Sequence, residues 1–71
     1  MEICAPFAGI VRYHVAEGDT VDAGAPVATV EATKLEIPVV SPAPGIVSRV
    51  LVPDFSTVAG GDRLAEIGER P

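Results

Sequence analysis

Residues 27–40 read VATVEATKLEIPVV, which is two β-prone runs separated by a short polar segment. Runs of this kind joined by a few polar residues are typical of a β-hairpin. Lys34, the only lysine among the 71 residues, falls at the predicted tip. A primary amine in that position, with no competing lysine, is suited to selective covalent modification. The alternative is that Lys34 is an ordinary turn residue that favours solubility.

Length and composition predict one small domain with many turns. A chain of 71 residues is long enough for a single domain, which we expect over residues 1–71. Apolar residues make up 48% of the chain, and most are small or β-branched, as strands and thin sandwich cores require. Seven glycines and seven prolines argue against long helices.

The charge balance excludes some classes of partner. Ten acidic residues against five basic ones give a net charge of −5, and the chain has only three aromatic residues. Nucleic-acid binding requires neutralisation of phosphates and surfaces on which bases stack, so we expect no nucleic-acid partner. No apolar run approaches the roughly 20 residues that span a bilayer, so we expect no membrane association either.

Two further features predict a cytoplasmic location. The start, Met1-Glu2-Ile3, lacks the basic and apolar segments of a signal peptide. Cys4 is the only cysteine and therefore cannot form an internal disulfide, which agrees with a reducing compartment. We expect Cys4 to be a small buried residue of the first strand.

The chain contains one internal repeat. Residues 5–11, APFAGIV, match residues 41–47, SPAPGIV, at an offset of 36, whereas residues 20–24 and 27–30 match residues 57–61 and 64–67 at an offset of 37. One residue is therefore gained or lost between the two blocks, and a β-bulge or a small loop adjustment would absorb it. The repeat halves are about 1–34 and 35–71.

Each half contains four predicted short strands, which are too few to close a core alone. We therefore expect the two halves to pack face to face as an all-β flattened sandwich or barrel with pseudo-twofold symmetry. The expected strands are 2–5, 10–16, 20–22, 26–31, 35–40, 46–52, 57–59 and 63–68. Alternation predicts which side chains point outward, namely Arg12, His14 and Arg49. It also predicts the core, namely Tyr13, Val15, Val21, Ala28, Val30, Leu35, Ile37, Val50, Val52, Val58, Ala65 and Ile67. After Ile67 the chain runs out through residues 68–71.

The residues offer no catalytic constellation. His14 and Cys4 are single, so neither a Cys-His nucleophile nor a His/Cys metal site can be assembled. Glu17-Gly18-Asp19 is too short for a calcium loop and reads as a tight turn with Gly18 at positive φ. We therefore predict no catalytic residues and no metal ligands, and treat the chain as a non-enzyme.

The segment Val30-Glu31-Ala32-Thr33-Lys34-Leu35-Glu36 resembles the attachment motif of biotinyl and lipoyl carrier domains, in which a glutamate lies three residues before the modified lysine. The resemblance covers essentially the whole chain: residues 5–11 resemble the opening turn of these domains, residues 17–21 their glycine-aspartate turn, and Pro42 and Gly45 follow at the family spacing. It implies a flattened barrel-sandwich hybrid of two four-stranded antiparallel sheets, with the modified lysine on a hairpin tip.

By this resemblance, Lys34 is the covalent attachment residue of the cofactor, within a segment that includes Glu31, Ala32, Thr33 and Leu35. The family implies a non-catalytic swinging-arm carrier domain. Biotin on Lys34 would move a carboxyl group between a biotin carboxylase and a carboxyltransferase, as in acetyl-CoA carboxylase of fatty acid biosynthesis, other acyl-CoA carboxylases or pyruvate carboxylase. The implied partners are these two subunits and a biotin protein ligase.

The choice of cofactor depends on the residues beside the lysine. Leu35, Glu36 and the Ala-Pro-Phe-Ala-Gly opening favour biotin, whereas Thr33 departs from both family patterns. Lipoate on a 2-oxo-acid dehydrogenase complex is the alternative, and an unmodified assembly module is a third reading. A type I′ turn would put Thr33 at positive φ, which strains a β-branched residue, so we expect either a strained tip or a different turn.

Three more side chains, Glu31, Glu36 and Phe55, each have two alternative roles. Glu31 and Glu36 flank Lys34, and we expect them to help a ligase recognise the tip; the alternative is that they are solvated charges at strand ends. Phe55-Ser56 occupies the position where the first half has its glycine-aspartate turn. We expect Phe55 either on the surface, where it could contribute to docking, or as apolar cover over a sheet edge.

Overall fold

The computed structural model describes residues 1–69, which form eight strands and contain no helix able to cross a membrane. Residues 70 and 71 of the expected C-terminal tail lie outside the described part. The strands are β1 (Glu2–Cys4), β2 (Gly9–Tyr13), β3 (Thr20–Val21), β4 (Pro26–Ala32), β5 (Leu35–Val40), β6 (Gly45–Val50), β7 (Thr57–Val58) and β8 (Arg63–Gly68). All eight expected strands are present, several of them shorter than expected.

The strands form two four-stranded antiparallel sheets, as predicted. The first sheet has the order β1-β8-β6-β3 and the second has the order β5-β4-β2-β7. The two halves do not form one sheet each. Each half supplies the two central strands of one sheet and the two edge strands of the other, so the halves are interleaved and neither can fold its sheet alone.

The strand pairings repeat between the halves. In the second sheet, Val11 pairs with Val30 and Tyr13 pairs with Ala28. In the first sheet, the corresponding pairs join Val47 to Ile67 and Val50 to Ala65, with a register shift between Val47 and Arg49. This shift is the expected β-bulge, and it places the additional residue of the second half at Ser48, whose hydroxyl donates to the Glu66 carbonyl oxygen at 3.0 Å.

The core between the sheets consists of two clusters related by the same symmetry. One cluster contains Ile3, Val21, Val27, Val47, Ala65 and Ile67. The other contains Ala5, Val11, Ala28, Val30, Val58 and Leu64. Val27 and Leu64 occupy corresponding positions in the two halves. Each lies on a strand of one sheet but packs in the cluster that is formed mainly by the other sheet, and both are fully buried. Tyr13, Val15, Val50 and Val52 are partly buried against these clusters, as alternation predicted.

Three core predictions are wrong. Cys4 lies in β1 but is exposed, because Ile3 is the residue of this edge strand that points inward. Leu35 and Ile37 are 55% and 40% exposed. They share a side of β5 with Val39, which does pack on the core. Leu35 lies beside the turn, and Ile37 is exposed although its partner Val30 is buried, because β5 is the edge strand of its sheet. His14 and Arg49 are exposed as predicted, whereas Arg12 is only partly exposed.

Candidate functional site

The hairpin formed by β4 and β5 ends in a two-residue turn. Ala32 pairs with Leu35, which leaves Thr33 and Lys34 as the two turn residues. Neither residue has a positive φ, so the turn is of neither the I′ nor the II′ type that two-residue hairpins usually adopt. This turn type explains how threonine can occupy position 33, because a β-branched side chain is unstrained at negative φ. Of the two expectations for this tip, strain at Thr33 or a different turn, the structure shows a different turn.

The side chain of Lys34 is exposed, and within residues 1–69 its ammonium group has neither an ion-pair nor a hydrogen-bond partner. The two residues on either side of it, Ala32, Thr33, Leu35 and Glu36, are exposed as well. The amine is therefore accessible from several directions, and nothing in the described part of the domain has to move before it can react.

The two glutamates beside the tip are held by one arginine. Glu31 and Glu36 lie directly opposite each other on β4 and β5, an arrangement in which like charges repel. Arg12, on the neighbouring strand β2, contacts both: its Nη2 lies 2.5 Å from Glu31 Oε1 and 2.9 Å from Glu36 Oε1. One guanidinium group thus joins three adjacent strands at the root of the Lys34 hairpin.

The base of the hairpin is also fixed by a close backbone approach. Gly9, at the start of β2, lies so near the backbone of Glu31 that a Cβ atom at position 9 would overlap its carbonyl oxygen. The ring of Phe7 contributes to the cluster that contains Val30. The strand that leads into the tip is therefore packed tightly up to Glu31, and only the last residues of the hairpin project beyond the body of the domain.

The structure brings all the predicted site residues together on this hairpin. Glu31 and Ala32 end β4, Thr33 and Lys34 form the turn, and Leu35 begins β5. Sequence analysis missed Arg12, which it placed on the outer face without a role, and Gly9. The predicted hairpin indicated that a cation near the two facing glutamates would be favourable, but the sequence did not show which strand would supply it.

Comparison with known proteins agrees with this geometry. The Biotin_lipoyl family model, described as biotin-requiring enzyme, matches residues 1–67. The human mitochondrial dihydrolipoyllysine-residue succinyltransferase component of the 2-oxoglutarate dehydrogenase complex is 43% identical over 79% of this chain and 12% of its own length. The Biotinylated protein TB7.3 homolog of Mycobacterium leprae is 37% identical over 84% of each chain.

Among solved structures, a single-chain, multi-domain long-chain acyl-CoA carboxylase matches with a TM-score of 0.90 and 30% identity, over all of this chain and 7% of that one. The matched proteins range from one about the size of this chain to enzymes many times longer. The family match covers nearly the whole chain and includes the Lys34 hairpin. This chain therefore belongs to the biotin/lipoyl attachment domain family.

Proposed function

We propose that Lys34 carries biotin in amide linkage on Nζ and that the domain moves a carboxyl group between a biotin carboxylase and a carboxyltransferase. The single observation that carries this proposal is the exposed ammonium group of Lys34 on a two-residue turn, with no partner among residues 1–69. A biotin protein ligase needs an amine that it can approach without unfolding the domain, and Lys34 meets that condition. Formation of the amide makes the lysine neutral and turns its side chain into part of a long arm.

The rest of the chain supplies the root of the arm. Arg12 and the backbone contact at Gly9 hold the hairpin up to Glu31, so that the flexible part begins only at the turn. When bound, biotin supplies a ureido nitrogen that accepts and releases the carboxyl group. The domain itself provides tethering, which replaces diffusion of a free carrier with a high effective concentration of the carried group.

Two observations favour biotin. Leu35 follows the lysine, as an apolar residue does in biotinyl domains, and its side chain is 55% exposed, so a ligase can contact it. A long-chain acyl-CoA carboxylase and the urea carboxylase of Kluyveromyces lactis, which is 31% identical with a TM-score of 0.85, are among the structural neighbours. The substrate of the complete enzyme is therefore proposed to be an acyl-CoA or another small acceptor, in the cytoplasm.

Lipoate on Lys34 is the second candidate, because the 43% identity to the succinyltransferase component joins this chain to a lipoyl-bearing protein. The experiment that separates the candidates is intact-mass measurement after co-expression with a biotin protein ligase or, separately, with a lipoate ligase. We expect complete addition of one biotin and no addition of lipoate. Modification by lipoate alone would establish the alternative, and the absence of both would leave an unmodified assembly module.

The control variants test whether the position of the amine matters. Lys34→Arg should abolish the mass gain. Combining Lys34→Arg with Arg49→Lys supplies a new exposed amine on β6, outside any hairpin tip, and should remain unmodified. A mass gain in the double variant would mean that the ligase accepts any exposed lysine of this domain, and the attachment role of the hairpin would be lost.

A further inference from the structure

The turn at residues 53–56 departs from its counterpart in the first half. Residues 16–19 and 53–56 form corresponding turns with the same backbone hydrogen bonds: the N–H of Gly18 donates to the Val47 carbonyl oxygen at 2.8 Å, and the N–H of Phe55 donates to the Val11 carbonyl oxygen at 2.7 Å. Gly18 has a φ of 94° and Phe55 a φ of 63°. Phe55 therefore stands where the same fold elsewhere uses a glycine.

Phe55 is a conformational exception that local packing does not explain. It is the one non-glycine residue with a positive φ among residues 1–69. Left-handed backbone is unfavourable for a bulky side chain, and such exceptions concentrate at binding sites. The Phe55 side chain is 67% exposed, so burial within the domain offsets little of this cost. The expectation that Phe55 covers a sheet edge is therefore not met, and the ring faces solvent.

An open apolar groove adjoins the same turn. It has a volume of about 470 Å³, follows the chain from Val50 to Asp54, and includes Tyr13 and Val15 from the end of β2 and the residues that follow it. A groove of this size accommodates one or two aliphatic side chains. Phe55 directly follows Asp54, the last residue that lines the groove, and its ring is exposed. We call the groove and this exposed ring together the Phe55 surface.

The charge at this surface has one sign. Asp54 lines the groove, and its Oδ1 accepts hydrogen bonds from the N–H groups of Tyr13 at 3.0 Å and Phe55 at 3.1 Å. Glu17 lies beside it, where its Oε2 accepts from the N–H of Val50 at 2.8 Å. No cation lines the groove within the described residues. Two fixed carboxylates beside an apolar groove are complementary to a partner that carries positive charge.

We propose that the Phe55 surface docks an extended segment of a partner protein that presents an aliphatic side chain beside arginine or lysine. The aliphatic side chain occupies the groove, the adjoining part of the segment contacts the ring of Phe55, and the cation faces Asp54 and Glu17. A second copy of the chain is a poorer occupant, because each copy carries a net charge of −5 and the two surfaces would repel.

This docking site is separate from the attachment hairpin. Tyr13 pairs with Ala28, four residues before the end of β4 at Ala32, and the N–H of Phe55 donates to Val11, which pairs with Val30 two residues before that end. The surface therefore lies about 7–13 Å from the root of the turn along the strand. The hairpin can therefore enter an active site while the Phe55 surface stays bound. Docking does not require modification of Lys34, and the test below is independent of the proposed cofactor.

The test is a titration of the isotope-labelled domain, followed by amide chemical shifts, with the synthetic peptide Gly-Arg-Leu-Arg-Gly and its charge-reversed form Gly-Glu-Leu-Glu-Gly. We expect saturable shifts at residues 13, 15, 17 and 50–55 with the basic peptide only, in both the wild type and Lys34→Arg. Phe55→Gly should weaken this binding about fivefold. Asp54→Asn, which keeps the acceptor oxygen but removes the charge, should weaken it about threefold and reduce its dependence on salt.

Val40→Ala is the matched control, because Val40 is 45% exposed on β5, at the opposite edge of the same sheet from the Phe55 turn, and its removal should leave peptide affinity unchanged. Equal responses to the two peptides, shifts outside the Phe55 surface, or unchanged affinity in Phe55→Gly would each overturn the proposal. So would self-association of the free domain through the same amides, since the occupant would then be a second copy.

Discussion

The two halves of the chain share most of their strand pairings, their core positions and the hydrogen bonds of their turns, and two differences between them involve exposed residues. In the first half, β4 continues through Thr33 and Lys34 into a projecting hairpin, whereas Gly68 is the last residue of the corresponding strand β8. In the second half, an exposed phenylalanine replaces the turn glycine of the first. Since the common backbone needs neither feature, both differences are candidates for function, and paired substitutions in the two halves can test them.

The largest expected effect comes from the glycines that open β2 and β6. A Cβ at Gly9 would overlap the carbonyl oxygen of Glu31, and a Cβ at Gly45 would overlap that of Gly68. Because backbone atoms cannot move away easily, we expect Gly9→Ala and Gly45→Ala each to lower the free energy of unfolding by about 2–3 kcal/mol, measured by urea denaturation. That is a large part of the total for a domain of this size.

The two glycine variants should differ in modification. Gly9→Ala displaces Glu31 at the root of the Lys34 hairpin, so the remaining folded protein should be labelled more slowly by the ligase. Gly45→Ala displaces only the end of β8, and its labelling rate per folded molecule should equal that of the wild type. Equal slowing in both variants would show that labelling follows overall stability and that the hairpin root has no separate role.

The turn residues give the next effect, with opposite signs in the two halves. Gly18→Ala should destabilise the domain by about 1 kcal/mol, because alanine is strained at a φ of 94°. Phe55→Gly should stabilise it by about 0.5 kcal/mol, since relief of left-handed strain slightly exceeds the added flexibility of the unfolded chain. Thermal unfolding of both variants provides the measurement.

Phe55→Ala is the control for this pair, because it removes the ring but keeps the Cβ and hence the strain. It should not be more stable than the wild type. If Phe55→Ala gains as much thermal stability as Phe55→Gly, the exposed ring rather than the backbone conformation is the source of the instability.

The repeat made most of the fold predictable, and the unpredicted parts have definable physical causes. The change of offset from 36 to 37 predicted an extra residue that the structure places at the Ser48 bulge. Alternation identified Val30 and Ile67 correctly because both sheets are present at those positions. It failed at Leu35 and Ile37, since alternation gives the side of a strand but does not show that β5 is an edge strand, where the facing sheet covers less.

The interleaving of the halves was not predictable either, because a repeat defines equivalent strands without assigning them to sheets. Within the candidate site, the motif located Lys34 and its neighbours along the chain. Arg12 could not be placed, as its role depends on the register of β2 against β4 and on a side chain that reaches across to β5. Contacts between strands that are distant in sequence could not be predicted.

A smaller difference between the halves concerns Tyr13, whose counterpart Val50 has no ionisable group. Burial raises the pKa of Tyr13 above its usual value of 10.0, with a lesser contribution from the charge of Asp54. The folded pKa thus exceeds the unfolded one, so the neutral phenol contributes stability that is complete below the unfolded value. This contribution is lost as the pH rises through the folded value.

We therefore expect the free energy of unfolding of the wild type to fall as the pH rises beyond about 10. The free energy of unfolding of Tyr13→Phe should fall less over the same range. At neutral pH the variant should be less stable by about 1 kcal/mol, because the hydrogen bond from the Tyr13 hydroxyl to the Leu64 carbonyl oxygen is lost. The two curves, measured by urea denaturation across this range, should converge. Parallel curves would show that Tyr13 does not titrate differently in the folded state.

The smallest effect separates Arg12 from its counterpart Arg49. Arg12 bridges Glu31 and Glu36, whereas Arg49 forms no ion pair within residues 1–69, where Gly68 corresponds to Glu31. Arg12→Ala should lower the free energy of unfolding by under about 1 kcal/mol at low salt, and Arg49→Ala should change it very little. The stabilisation is smaller than the short distances between Arg12 Nη2 and the two glutamates suggest. The ion pairs are partly exposed, and Arg12 Nε is buried without a hydrogen-bond partner among residues 1–69.

Salt and a second substitution isolate the cause of the Arg12 effect. If repulsion between the facing glutamates is what Arg12 relieves, high salt should reduce the difference between the two arginine variants, and adding Glu36→Gln to Arg12→Ala should restore part of the lost stability. The same double variant should recover the rate of Lys34 labelling if the ligase needs an ordered hairpin root. If stability returns but labelling stays slow, the ligase instead reads the charge of Glu36, and the glutamate rather than the arginine is its recognition residue.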